Sequence, residues 1–200
     1  MRILILTNYY PPLEIGGWEQ LTRDVAHRLR ERGHAVRVLT SNHRAAEVAT
    51  PEPDVFRVLH LESPDHVHYH PLYTLRRRGW ERDNRRQIRR AVATFRPDVI
   101  FVNGMWNLPV TVAQEAEACL PGRVVYYIAS HWPTEPDAHN AYWQSPAERA
   151  WLNVPKRWLG WLARPLLPAQ PRNRLDFACV LCVSEFMRRY MVQEAGVPPA

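Results

Sequence analysis

Short apolar runs alternate with amphipathic stretches along the chain. Arg2-Ile3-Leu4-Ile5-Leu6-Thr7 opens with an uninterrupted apolar run, predicting a buried strand over Ile3 to Thr7. Trp18, Leu21, Val25 and Leu29 then recur at spacings of three and four. That spacing predicts a helix from Gly17 to Arg32 with one apolar face, ended by Gly33. Further strands are expected at Ala35 to Thr40, Val55 to Leu61, Val99 to Val102, Val124 to Ala129 and Ala178 to Val183. Helices are expected from Trp80 to Phe95, where Ile88, Ala91, Val92 and Phe95 share a face, and from Leu108 to Cys119. A last helix follows Ser184, a suitable cap, and presents Phe186, Met187, Tyr190 and Met191 together. Between His131 and Pro171 the periodicity breaks, and proline and tryptophan dominate.

Strands that alternate with helices over a whole chain imply right-handed crossovers and a parallel sheet with helices on both faces. The expected class is therefore α/β, doubly wound. Ligands of such sheets bind at the carboxyl ends of the strands near the topological switch point. The segments to weigh are thus Asn8 to Gly17, Ser41 to Arg44, Asn103 to Asn107, Ser130 to Pro133 and Ser184.

Composition narrows the class without changing it. The 200 residues are 46% hydrophobic and 23% charged, which suits one packed domain and argues against disorder or a disulfide scaffold. No apolar run approaches the ~20 residues a spanning helix needs. The first residues lack the features of a secretory signal, and Cys119, Cys179 and Cys182 have no framework spacing, so the cytoplasm is the expected compartment. Net charge is +6, and all of the 26 basic residues but Lys156 are arginine. Arginine's planar fork suits phosphate and carboxylate groups, so an anionic ligand or surface is expected.

The loop after the first strand is not the Gly-x-Gly-x-x-Gly turn of a dinucleotide-binding dehydrogenase. It runs Asn8-Tyr9-Tyr10-Pro11-Pro12-Leu13-Glu14-Ile15-Gly16-Gly17, and its paired glycines at a helix start would let a diphosphate approach the backbone closely. With Glu19, and with Arg32-Gly33-His34-x-Val36-x-Val38-Leu39-Thr40 at the end of the helix, this opening resembles the N-terminal domain of the family 4 retaining glycosyltransferases of GT-B fold. Later segments match in order. Arg96-Pro97-Asp98-Val99-Ile100-Phe101-Val102-Asn103-Gly104 is similar to the family's fourth strand, and Val183-Ser184-Glu185-Phe186-Met187 with Gly196-Val197-Pro198 to its last strand and helix.

The resemblance implies a Rossmann-like, acceptor-side domain over residues 1–200, facing a C-terminal domain that holds most of a nucleotide-sugar donor. It implies transfer to a glycan or lipid-linked acceptor, with no cofactor and no required metal, and a chain that is inactive without that second domain. Gly16 and Gly17 would approach the donor diphosphate. His131 matches the catalytic histidine that contacts the transferred sugar. Asn103, Trp132 and Ser184 fall at acceptor or cleft positions, although the family often has histidine where Asn103 stands and aspartate where Trp132 stands. Two other functions fit the same pattern: a sugar-nucleotide epimerase of the same architecture, and a non-catalytic module that binds membrane surfaces.

Four further signals remain. Cys179-x-x-Cys182 lies in a strand pattern, where residues three apart face opposite ways, so a buried core pair is expected rather than a metal or redox site. His66, His68 and His70 alternate between Pro64 and Pro71, without a carboxylate or cysteine at ligand spacing. Nine arginines fall between 76 and 96, and Arg82, Arg85, Arg86, Arg89 and Arg90 are the candidates for contact with an anionic membrane or acceptor. They are not interleaved with aromatics, which argues against nucleic acid. Trp151 to Arg164 combines tryptophan, leucine and basic residues, a composition suited either to packing on the sheet or against a second domain, or to a bilayer interface; with the second, the cytoplasmic protein would associate peripherally with the inner face of the membrane.

Overall fold

The computed structural model describes residues 1–13, 16–63, 69–147, 149–166 and 175–197. Six parallel strands form one sheet: β1 (Arg2–Leu6), β2 (Ala35–Ser41), β3 (Val55–Leu59), β4 (Val99–Asn103), β5 (Val124–Ile128) and β6 (Cys179–Cys182). Their spatial order is β3-β2-β1-β4-β5-β6. This is the doubly wound Rossmann-like order, and the chain reverses direction across the sheet between β1 and β4. The helices are α1 (Gly17–Glu31), α2 (Leu72–Phe95), α3 (Val110–Cys119), α4 (Ala138–Gln144), α5 (Asn153–Ala163) and α6 (Glu185–Gln193).

The apolar run of β1 is explained by burial on both sides. Ile3 and Ile5 join Tyr10, Ala26, Val36 and Val38 in the layer beneath α1. Leu4 and Leu6 point the other way, into a larger cluster with Ile88 of α2, Val112 and Ala116 of α3, and Met187 and Met191 of α6. Alternate residues of one strand therefore serve two cores.

Three expectations change. α2 begins at Leu72, two turns before the periodic apolar positions start. Its early turns are held by tertiary contacts: the Trp143 indole donates to Thr74 Oγ1 at 3.1 Å, and the Arg77 guanidinium donates to Leu166 O at 2.8 Å. The aperiodic stretch after His131 contains two helices, α4 and α5, and the Asp137 carboxylate caps α4 by accepting from Asn140 N at 2.9 Å. The cysteine strand is not a buried one. Ile5, Phe101, Val125 and Cys179 are register partners on the face that α1 covers, but α1 does not reach β6. Cys179 and Leu181 are exposed there, while Cys182, on the opposite face, is partly buried against the main cluster. The opposite-face reasoning holds, and the core reading fails at Cys179 because β6 is an edge strand.

Candidate active site

At the carboxyl edge of the sheet, the loops after β1, β4 and β5 meet. The β1 and β4 loops are joined by Asn8 N, which donates to Gly104 O at 2.9 Å. The Asn8 carbonyl in turn accepts from Ser41 N and from Thr40 Oγ1, both at 3.2 Å, which ties in the end of β2. Asn8 is buried, so this knot is rigid. Gly104 has φ +90°, and a Cβ there would stand 2.7 Å from both Asn8 Oδ1 and Trp18 Nε1. Only glycine lets the loops come this close.

Above the knot lies a cleft of about 300 Å³, lined by Gly16, Gly17, Trp18, Gly104, Ser130 and Trp132 among others. Gly16 and Gly17 start α1, whose N-terminus carries partial positive charge toward the cleft. The carboxylate of Glu19, itself buried, accepts the Gly16 N–H at 3.0 Å. Trp18 stacks on Tyr127 of β5, ring centroids 5.3 Å apart and planes 18° from parallel. Its buried indole N–H has no hydrogen-bond partner among the described residues.

A second cleft of about 760 Å³ adjoins the first, sharing Met105, Trp106 and Trp132. Its walls mix aromatic, acidic and basic groups, including Glu62, Tyr69, Asp137, Tyr142 and Lys156. Asn107, in the left-handed region at φ 60°, forms one wall. Its Oδ1 accepts from Ser63 N at 3.1 Å, its Nδ2 donates to Ser63 O, and its carbonyl accepts from Glu62 N at 2.9 Å. The Glu62 carboxylate then accepts from Ala138 N at 2.6 Å, which fixes the start of α4. Beneath it, His139 is fully enclosed, and burial pushes its pKa down to about 4 against the opposing pull of Asp137, with Arg77 reinforcing the fall.

The sequence candidates divide. Gly16, Gly17 and Trp132 line the small cleft, and Trp132 lines both. His131 follows β5 between two cleft residues, with its ring edge-on to Tyr190 of α6 at 4.5 Å and its carbonyl accepting from Thr134 N and Glu135 N. Asn103 lines neither cleft: it is 1% exposed, and its Nδ2 donates to Thr22 Oγ1 at 2.8 Å, anchoring α1. Ser184 lines neither and caps α6, accepting from Met187 N at 3.2 Å. Arg85 and Arg89 turn to the buried carboxylate of Glu115 on α3, at 3.2 and 2.5 Å; Arg89 stays exposed while doing so, as do Arg82, Arg86 and Arg90 without that partner. Of the alternating histidines, His70 is exposed, and His66 and His68 lie outside the described residues. Trp18, Tyr127 and Glu62 were not anticipated, and Asn107 was included only as the end of the segment from Asn103. Trp18 adjoins Gly17 in sequence, but its place on the helix's apolar face marked it for the core.

A solved structure of the Bordetella bronchiseptica enzyme WbmH in complex with NAD+ aligns with this chain at 15% identity and a TM-score of 0.35. The alignment covers 90% of this chain and 54% of that one, so the chain spans about half the length of that structure. No curated protein matches the chain. Residues 15–200 match the sequence pattern of Glycosyltransferase Family 4, from the paired glycines through the last strand and helix. With that match over most of its length, the chain belongs to Glycosyltransferase Family 4.

Proposed function

We propose that this chain is the acceptor-side domain of a retaining glycosyltransferase that moves a sugar from a nucleotide-sugar donor to a glycan or lipid-linked acceptor. One observation carries the reading: the fold does not need glycine at Gly16 or Gly17. The backbone of Gly16 is extended, neither residue has a positive φ, and a Cβ at either would meet nothing within 4 Å. Side chains would fit both positions, so what their absence provides is open backbone at a helix N-terminus. That is the surface a diphosphate approaches.

On this reading, the donor diphosphate lies over the first turn of α1 and competes with the Glu19 carboxylate for the Gly16 N–H. The donor's nucleotide is held by a second domain across the cleft. The larger cleft, with its aromatic walls and its Glu62, Asp137 and Lys156 groups, takes the acceptor. His131 contacts the transferred sugar. The leaving phosphate assists deprotonation of the acceptor hydroxyl, and the protein contributes positioning and electrostatics.

Calorimetry and product analysis with a panel of nucleotide sugars test this in the protein that carries the domain. Gly17→Ala is expected to melt like wild type and to bind the donor at least about tenfold more weakly, because a methyl group blocks close backbone approach. His131→Ala is expected to lower turnover much more than donor affinity. Unchanged donor binding in Gly17→Ala refutes the diphosphate site. Conversion of the nucleotide sugar without any acceptor refutes transfer in favour of epimerisation.

A further inference from the structure

Helix α5 bears an apolar face that nothing in the described chain covers. Trp151, just before it, and Val154, Trp158, Leu159, Trp161 and Leu162 are between 56% and 69% exposed. The helix is attached by its other side. A Cβ at Gly160 would lie 3.3 Å from the Trp143 ring, Ala163 is buried, and the Lys156 ammonium sits 4.2 Å above the Tyr142 ring while donating to Ser145 O at 2.9 Å. At 100° per residue, Val154, Trp158, Trp161 and Leu162 fall opposite the side that Lys156, Gly160 and Ala163 share. A contiguous apolar patch of this kind marks an interaction surface.

Its charge identifies the occupant. Residues 149–166 include Arg149, Lys156, Arg157 and Arg164 and no aspartate or glutamate. Arg157 and Arg164, two helical turns apart, border a shallow concavity that Val154, Trp158 and Trp161 complete. Indole rings between apolar side chains and a basic rim suit the boundary between acyl chains and anionic headgroups. A second copy of this chain would set arginine against arginine in a twofold contact, so the basic rim opposes self-association. With 11 residues, about 17 Å long, α5 is too short to span a bilayer and long enough to lie on one.

We propose that α5 docks the protein on an anionic bilayer, with Trp158, Trp161 and Leu162 inserted at the headgroup boundary and Arg157 and Arg164 on lipid phosphates. Leu152 and Lys156, on the attached side of the same segment, line the larger cleft. Docking therefore holds that cleft one helix diameter, ~10 Å, from the membrane surface. If the cleft is the acceptor site, which rests on the function proposed above, an acceptor anchored in the bilayer reaches it by its headgroup. The surface differs from the α2 arginines, which supply its comparison.

Co-sedimentation of the full chain with phosphatidylcholine vesicles, with and without phosphatidylglycerol, tests the proposal. Wild type is expected to bind the phosphatidylglycerol vesicles, and brominated acyl chains are expected to quench its tryptophan fluorescence. Trp158→Ala with Trp161→Ala is expected to lower binding at least about tenfold, and the phenylalanine pair to restore most of it. Arg157→Gln with Arg164→Gln is expected to cost about fivefold per charge, an effect that added salt reproduces. Arg82→Gln with Arg86→Gln and Arg90→Gln is expected to bind as wild type does. No binding to anionic vesicles, or equal binding by the tryptophan pair, overturns the proposal. So does a larger loss from the α2 variants, or a dimer in sedimentation velocity that the tryptophan variants dissociate. The quenching is read on unmodified protein, so a poorly folding variant does not decide the matter. Vesicle binding needs no nucleotide sugar, so its failure and that of the glycosyl-transfer reading are seen separately.

Discussion

Gly104→Ala is the sharpest perturbation of the proposed site, because the cleft floor is built on the absence of that side chain. Two costs follow from the geometry. The first is conformational: at φ +90°, an L-residue loses about 1–2 kcal/mol relative to its preferred backbone regions. The second is steric. The new methyl group would lie 2.7 Å from Asn8 Oδ1, 2.7 Å from Trp18 Nε1 and 3.2 Å from Thr7 Oγ1. None of these neighbours yields cheaply. Asn8 is buried and backbone-bonded to three partners, Trp18 is stacked on Tyr127, and the Thr7 hydroxyl donates to Tyr9 O at 3.0 Å. Overpacking of this sort costs about 1–3 kcal/mol. The sum, about 3 kcal/mol, is a large part of the ~5–15 kcal/mol that holds a domain folded. In a chain of this size it lowers Tm by about 6–12 °C. Gly122→Ala carries the first cost alone, since Gly122 has φ +70° but nothing within 4 Å of a Cβ, so the difference between the two variants isolates the second. Urea unfolding of both variants is the assay, with near-UV circular dichroism reporting displacement of Trp18. If Gly104→Ala is no less stable than Gly122→Ala, the close approach of the β1 and β4 loops is not what shapes the cleft.

Two further outcomes concern buried groups beside the clefts. His139 has a folded-state pKa pushed down to about 4, below the ordinary 6.5, chiefly by burial. The unfolded chain therefore binds the proton first, and stability that is complete above about pH 6.5 falls by about 3 kcal/mol as pH drops toward 4. His139→Gln, which keeps a polar partner for the Tyr69 hydroxyl that meets His139 Nδ1, is expected to flatten that slope in urea titrations between pH 7 and 4; an unchanged slope assigns the titration elsewhere. The Glu117 carboxylate accepts from Tyr126 Oη at 2.8 Å, Asp176 N at 3.0 Å and Phe177 N at 3.2 Å, and so fixes the approach to β6. Glu117→Gln, turning an amide donor toward these donors, is expected to cost about 2–3 kcal/mol and to speed hydrogen exchange at Asp176 and Phe177; normal protection at both amides contradicts the anchoring role.

How much of this was legible in the sequence depended on whether a segment's partner was local. The run from Ile3 to Leu6 announced a strand buried on both sides because every position has its own apolar neighbour. The face of Trp18, Leu21, Val25 and Leu29 announced α1 for the same reason. The first two turns of α2 carry no such stripe. They are helical because Thr74 meets Trp143, and because Arg77 and Arg78 donate to Leu166 O and Pro165 O at 2.8 and 2.9 Å, from about 90 residues away in sequence. No window along the chain contains that information. α4 was closer to legible, since Asp137 is an ordinary cap residue.

At the site, the strand-end rule chose positions well and orientations poorly. It selected Asn103 because ligands gather where parallel strands end, yet Asn103 is paired across the sheet with Tyr127 on the face that α1 covers. Its amide is spent on Thr22. The rule names which residues stand near the cleft, and the helix that follows β1 decides which of them are roofed over. The arginines of α2 show a second limit. Their density suggested one charged surface, but Glu115 lies among Val112, Ala116 and Cys119 on α3, and a carboxylate in that apolar company requires cations. Arg85 and Arg89 supply them. Glu115 was therefore the better guide to those two arginines than their own spacing was. The same test applied to α5 gives the opposite result: among the described residues no carboxylate pairs with Arg157 or Arg164, and the tryptophans between them stay exposed. A basic residue with an internal carboxylate belongs to the fold, and one that stands without it beside bare indoles belongs to whatever the fold docks on.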